Sequence, residues 1–290
     1  AMPNADELYG SVLDSVASYA HRAPSYEVAV PSYRRDRAIA DRTLATLDRL
    51  KVDRDRVTVF VADEPERDAY DTALDGEWRV VVGRPGLYDC RRWYANEYYP
   101  TGTPVLHFDD DVDDLLDRGD GKKLVAWDGS IDQLAALGFG MTEGVGARVW
   151  GITAVANAFY MADEAVAGLR YICGIVHGTI AGDTVSNPDG PAVSSGADFA
   201  RSLASYVAYG SVVRLGWVAP KTIYFAPGGM QAELGGKEAR ARDHASALRQ
   251  IARRHPGLAK LVQKKSGPNL RLTPKTVLRV PRSSLERALG

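Results

Sequence analysis

Four short runs in the first 108 residues constrain the fold of this chain more than any other feature. "EVAVP" (27–31), "VTVFVA" (57–62), "WRVVV" (78–82) and "PVLHF" (104–108) are β-branched and almost continuously apolar. Strands covered on both faces read this way, as those of a parallel sheet do. The stretches between them suit crossover helices. "RAIADRTLATLDRL" spaces Ile39, Leu44, Leu47 and Leu50 along one helical face, and "YDCRRWYANEYY" supplies another helix. Alternation of this kind predicts an α/β sheet. Further on, "ARVWGIT", "GLRYICGIVHGTI" and "VVRLGWVAPKTIYF" read as strands of an α+β half, and "SSGADFARSLASYVAYG" as a helix with Phe199, Leu203, Tyr206 and Tyr209 on a broad apolar face. "APGGMQAELGG" reads as a flexible loop, with Gly228, Gly229, Gly235 and Gly236 suited to a lid, and a last helix is expected over about 238–255.

Seven aspartates fall between positions 109 and 120, directly behind the fourth apolar run. Like charges at that density repel, and ligands of open α/β sheets bind beyond the carboxyl ends of the strands. A hard divalent cation held by Asp109 and Asp111 would offset the repulsion and bridge to phosphate oxygens. Asp113, Asp114, Asp117 and Asp120 are expected to begin and decorate a polar turn or helix. A calcium loop of the EF-hand type is disfavoured, because Asp114 stands at the sixth position where glycine is needed and Asp120 at the twelfth where glutamate is needed.

With these motifs in order, the chain resembles the GT-A class of glycosyltransferases. "VAVPSYRRD" is similar to the first strand and loop around the donor nucleotide, "VFVADE" to the second strand ending in an acid, "VLHFDDDV" to the strand with the metal-binding D-x-D, and "SSGADFARSL" to the later motif carrying the base of inverting members. "WGITAVANAFYM", "LRYICGIVHGTIAGD", "ADFARSLASYVAYGSVVR" and "KTIYFAPGG" resemble the TET-associated glycosyltransferases of phages, which modify 5-hydroxymethylcytosine in DNA. The likeness spans roughly residues 27–236. It departs where an acidic pair is usual, because Ala197 precedes Asp198 here.

The resemblance implies a GT-A fold, with a Rossmann-like nucleotide-sugar-binding half over about 25–120 and an acceptor half over about 121–236 on a mixed sheet. A basic C-terminal helix and tail, 237–290, would pack on the same domain. It implies a UDP-sugar donor, Mn²⁺ or Mg²⁺ on Asp109 and Asp111, and DNA carrying 5-hydroxymethylcytosine as acceptor, the alternatives being a protein or polysaccharide acceptor or an inactive nucleic-acid-binding module on that fold. Pro31, Ser32, Tyr33 and Arg34 would line the nucleotide, with Asp63 or Glu64 at the base edge and Asp110 in the donor site. Tyr33 either stacks on the base or packs on the strand end. Arg34, Arg35 and Arg37 either pair with the diphosphate or solvate the first turn of the crossover helix. Arg91 or Arg92 would reach the donor while the other faces outward. Asp198 would be the base, although Ser195 to Asp198 also fits a capping box; Asp183 is the rival base. His107 is expected in the core, with His177 or His244 as a third metal ligand. Trp150, Tyr171 and Trp217 either stack on the acceptor or lie in the core.

Charge separates along the chain. Residues 237–290 hold 14 Lys and Arg against three acids, +11, so the overall −1 leaves −12 for residues 1–236. Such a segment suits a polyanion partner, or simply solvates a helix and tail. The chain has no uninterrupted apolar run of membrane-spanning length, and "AMPNADELYG" is not a secretory signal, so no membrane span is expected and the place of work is a cytoplasm, the host's if the protein is phage-encoded. Cys90 and Cys173, the only two cysteines, are expected as reduced, buried thiols.

Overall fold

The computed structural model describes residues 4–22, 25–188, 196–222, 237–264 and 267–290. The four apolar runs form β1 (Glu27–Pro31), β2 (Val57–Val61), β3 (Arg79–Val82) and β4 (Pro104–Phe108), which lie parallel to their neighbours in the order β4-β1-β2-β3. Beyond β4 the sheet turns mixed. β9 (Val176–Ile180) is antiparallel to β4, and β7 (Trp150–Ile152) antiparallel to β9. Next come β10 (Val212–Leu215), β8 (Glu164–Leu169) and β14 (Lys275–Pro281), completing a nine-stranded sheet. The mixed α/β architecture expected from the sequence is therefore present.

The crossover between β1 and β2 is one helical run with a π-helical middle: α2 (Asp36–Ile39), the π segment Ala40–Leu44 and α3 (Ala45–Arg49). Ile39, Leu44, Leu47 and Leu50 are all buried, as their spacing predicts. After β2 comes α4 (Glu64–Ala73), and between β3 and β4 lies α5 (Leu87–Trp93), continued by the π segment Tyr94–Tyr98. The latter gathers tyrosines on Phe60, with Tyr94 stacked at 4.6 Å between ring centroids. One sheet face is covered by α1 (Ala5–His21) and α6 (Ile131–Val145), which approach so closely that a Cβ on Gly140 or Gly144 would meet the backbone of Val16 or Val12 at 2.7 or 2.6 Å. The opposite face carries α5 and α7 (Ala197–Tyr209).

Two expectations are corrected. Asp113, Asp114 and Asp117 belong to a strand, β5 (Val112–Asp117), which pairs with β11 (Val218–Thr222) and β6 (Val125–Ala126) in a small antiparallel sheet, whereas Asp120 lies in the turn that follows, as expected. The burial is not a plain alternation: Val112 and Leu115 are buried with the half-buried Asp113 and Asp114 between them, where the pairing with β11 shifts register and sets Asp113 out of it. The basic C-terminal segment is likewise more than a helix and tail. After α8 (Lys237–Arg254) it forms the hairpin β12 (Ala259–Lys264) and β13 (Gly267–Leu272), then edge strand β14 and helix α9 (Arg282–Leu289). The glycine-rich loop over 226–236, with Gly228, Gly229, Gly235 and Gly236, lies outside the described residues.

Candidate active site

Asp109, Asp110 and Asp111 leave the carboxyl end of β4 and turn the chain into β5. The turn is clamped from the π segment of the first crossover. Thr43 Oγ1 donates to the Asp109 carbonyl (2.6 Å) and accepts from the Val112 N–H (3.0 Å), while Thr46 Oγ1 donates to the Val112 carbonyl (3.0 Å). A π-helical turn widens the helix locally and is frequent at functional sites; here it carries Thr43 to the aspartate turn.

Arginines answer most of the repulsion in the acidic run. Asp109 pairs with Arg91, Asp110 and Asp111 with Arg35 (2.5 and 3.1 Å), Asp113 with Arg42 (3.7 Å), Asp114 with Arg49 and Asp117 with Arg282 (2.8 Å). Asp120 instead caps the N–H groups of Lys122 and Lys123. A cation is thus not what holds the run together as a whole. Two positions would nevertheless accept one. Burial first, and then the neighbouring carboxylates, push the Asp109 carboxyl up to about 7 despite Arg91, and burial with Asp110 raises that of Asp111 despite Arg35. These two hard oxygen donors keep side-chain exposures of 28 and 19%, so they fit a divalent ion that would favour their ionised forms. Among the described residues no three His, Cys, Asp or Glu side chains are grouped to hold a metal, so His244, on α8, is not gathered with Asp109 and Asp111 into a ready cage.

On the β1 side, Asp110 is buried and serves the scaffold of the loop after β1. It accepts from Ser32 Oγ (2.5 Å) as well as Arg35. Ser32 Oγ also shares a hydrogen bond with the Tyr70 hydroxyl (2.6 Å), which accepts the Arg35 N–H (3.0 Å). Pro31 is buried at the end of β1. Tyr33 and Arg34 remain accessible, with the Arg34 guanidinium 5.0 Å from the Tyr33 ring centroid. Arg34 takes a left-handed backbone (φ 55°), and its N–H donates to Glu66 Oε2 at 3.0 Å. Asp63 caps α4 by accepting the Glu66 N–H at 2.9 Å. Arg35 is therefore a counter-ion of Asp110 and Asp111 rather than a solvated residue on the first turn of the crossover helix.

On the β9 side, Asp198 comes to the same place. Its Oδ2 accepts from the Gly174 N–H (2.8 Å) and the Tyr171 hydroxyl (3.2 Å), and its Oδ1 lies 3.5 Å from Arg201 Nη1. A Cβ on Gly174 would stand 2.5 Å from Asp198 Oδ1 and 3.1 Å from Arg91 Nη1, so glycine is what lets Asp198 and the Arg91–Asp109 pair share one space. The N-cap of α7 is Gly196 with no side-chain bond, and the Asp198 carboxylate reaches across to the loop before β9. Ser195 lies outside the described residues.

Asp183 is placed elsewhere. Its oxygens are taken by the Val185 N–H, the Ser186 hydroxyl (2.5 Å) and the Tyr209 hydroxyl (2.8 Å) at the far end of α7, an arrangement that closes a turn. Arg91 is nearly enclosed, and Arg92, half-exposed, lines the same cavity beside it rather than turning away. His107 is a satisfied core residue between Tyr94 (2.9 Å) and Thr179 (2.8 Å), stacked on His177 at 4.3 Å. His177 uses Nδ1 on the Gly174 carbonyl (3.1 Å). Burial, reinforced by Arg201 and Arg91, lowers both imidazoles and keeps them neutral. Trp150 and Trp217 are core residues, whereas Tyr171 serves Asp198. Neither cysteine forms a disulfide among the described residues; Cys90 is buried and Cys173 only partly so, its thiol pushed up to about 12 by burial and Asp198.

No family model and no curated protein sequence matches the chain. Among solved structures it is similar to the mannosyltransferase PcManGT from Pyrobaculum calidifontis in complex with GDP-Man and Mn²⁺, at 13% identity, covering 85% of this chain and 73% of that one with a TM-score of 0.52. It is also similar to glucosyl-3-phosphoglycerate synthase from Mycobacterium tuberculosis in complex with Mg²⁺ and UDP (14% identity, 98 and 96% covered, TM-score 0.48). A third similarity is to S. aureus TarS 1–349 (13% identity, 79 and 64% covered, TM-score 0.48). The first likeness shows the fold, a GT-A architecture.

Proposed function

We propose that this protein is a metal-dependent glycosyltransferase that moves a sugar from a nucleotide-sugar donor, a UDP-sugar, to the hydroxymethyl group of a modified cytosine in phage DNA. The observation that carries this reading is the placement of Asp198 against the Arg91–Asp109 pair at the carboxyl end of β4, with Asp111 two residues further along the same turn. The solved mannosyltransferase of like fold holds GDP-Man with Mn²⁺, which supports a donor of that class.

The roles we assign are these. Ser32, Tyr33 and Arg34 present the loop after β1 to the nucleotide, and Asp63 stands at the end of β2. Asp109 and Asp111 would hold Mn²⁺ or Mg²⁺, which when bound supplies positive charge opposite the departing diphosphate. Asp198 takes the proton of the acceptor hydroxyl as that oxygen bonds to the anomeric carbon and the bond from that carbon to the diphosphate breaks. The Gly174 N–H and Tyr171 hydroxyl fix the carboxylate's orientation for this step. A cytosine within a duplex reaches such a site only when extruded. The basic segment 237–290 supports a polyanionic acceptor.

The test is incubation with hydroxymethylated and unmodified DNA, a panel of nucleotide sugars and Mn²⁺, followed by mass spectrometry of the nucleosides. A hexose on hydroxymethylcytosine only, dependent on the metal, is the expected result. Donor turnover without DNA modification would move the acceptor to a protein or glycan, and no donor turnover with any metal would sink the reading.

A further inference from the structure

Between α5 and α7, on the β9 side of Asp109, lies a cavity of about 60 Å³. The stacked His107–His177 pair, in register on β4 and β9, forms its floor; Arg91 and Arg92 line it from α5, and Arg201 from α7. Arg201 is the unusual member. Its side chain is only 7% exposed, yet its one acceptor among the described residues is Asp198 Oδ1 at 3.5 Å, the limit of a hydrogen bond. A guanidinium has five N–H donors, and burying a charge without partners is costly. Arg91 shows the same deficit, because its Nε–H is buried with no acceptor. Among the described residues Asp89, on the rim, is the acid that lines the cavity, 4.0 Å from Arg92. His177 offers a contrasting group. Its Nδ1 must carry the proton donated to the Gly174 carbonyl, so its Nε2 keeps a lone pair.

We propose that this cavity is an anion subsite for the acceptor, taking a phosphate group of that substrate on Arg201 and Arg91, beside the Asp198 that receives the acceptor's proton. The acceptor side is assigned by topology. The nucleotide loop after β1 lies on one flank of Asp109, whereas the cavity lies on the other, against the first turn of α7. A tetrahedral anion matches the donor excess, since guanidinium N–H groups pair well with phosphate oxygens. The acceptor role rests on the glycosyltransferase reading; the anion site does not.

The test is titration of inorganic phosphate into the full chain, followed by calorimetry and by the imidazole NMR signals of His177, with and without saturating UDP and Mn²⁺. Phosphate is expected to bind, to shift His177, and to bind equally well when UDP and Mn²⁺ are present. Arg201→Gln should weaken it by about ten- to a hundredfold, the loss of one charge-assisted hydrogen bond. Should that variant not fold, Arg92→Gln on the rim is expected to weaken phosphate by a smaller factor. As a second arm, 5-hydroxymethyl-dCMP should compete with phosphate and its nucleoside should not. Absence of phosphate binding, or binding indifferent to both substitutions, overturns the subsite. Displacement of phosphate by UDP and Mn²⁺ overturns its acceptor role and returns the arginines to the donor. Phosphate binding that survives while no DNA is glycosylated upholds the subsite and removes only the DNA acceptor.

Discussion

Asp198 is held by a backbone N–H and a phenol and faces Arg201, so its carboxylate is oriented before any substrate arrives. Asp198→Asn preserves an oxygen for the Gly174 N–H but removes the proton acceptor. Sugar transfer should fall to background while the variant loses about 1–2 kcal/mol of stability at most in urea unfolding; full activity would exclude the base role. His177 supplies a pH test of the same region. Burial lowers its folded pKa, with Arg201 on α7, His107 on β4 and Arg91 on α5 as its neighbours. The unfolded chain therefore takes up a proton near pH 6.5 that the native state refuses. Stability from this group is full above that pH and declines below it, by about 1.4 kcal/mol per pH unit. In paired urea titrations from pH 7 to 5, wild type should lose stability faster than His177→Gln; parallel curves would mean that His177 titrates alike in both states. Asp109, Asp111 and Asp198 could be picked out in sequence because each is a short acid placed just after a strand or at a helix start. Their counter-ions were not legible. Arg35, Arg91 and Arg201 acquire meaning only once α2, α5 and α7 are docked, and nothing in "RRD" or "CRRW" tells an internal guanidinium from a solvated one.

The element that sets the site's geometry is the π segment Ala40–Leu44. The sequence pattern gave its helical character through Ile39, Leu44 and Leu47, but the extra residue per turn that redirects Thr43 toward Asp109 carries no apolar signal. Thr43 Oγ1 bridges two backbone groups of the aspartate turn, whereas Thr46 reaches one. Thr43→Val keeps the shape and strands a carbonyl and an N–H, which should cost about 2–4 kcal/mol in urea denaturation and weaken Mn²⁺-dependent donor binding. Thr46→Val should cost roughly half as much. Equal effects from the two would show that the clamp is not centred on Thr43. Elsewhere, α6 illustrates the limit of periodicity. It is apolar nearly all round, with Gly138 seated on Trp150 and Gly140 and Gly144 against α1, so no single face marks it as a helix; its signal was the capping box of Ser130 and Gln133.

Across the whole molecule, the opposition between an acidic body and a basic C-terminal segment is partly resolved inside the fold. Arg282 binds Asp117 of β5 and Glu286 (2.8 and 2.5 Å), and Arg279 on β14 pairs with Glu164 on β8. These arginines count toward the +11 of the segment but hold it to the sheet, leaving fewer charges for a partner. In sequence, "KTVLRVP" hides its strand because Lys275, Arg279 and the exposed Val277 blur the alternation, and only Leu278 and Val280 are buried. Those two residues, with Leu285 of α9, belong to the same core as α1 and α6. A chain ending at Leu272 would lose both elements, leave β8 as an open edge and uncover apolar surface on α1. We expect it to lack a cooperative thermal transition and to bind a hydrophobic dye, whereas a chain that merely lost a solvated basic tail would melt like the full-length protein. The contrast separates the two roles of the segment. If the truncated chain stays folded and loses only affinity for DNA, the basic residues act as a docking arm. If it unfolds, β14 and α9 are integral to the sheet, and any contact with a polyanion has to come from exposed cations on α8 and the β12–β13 hairpin.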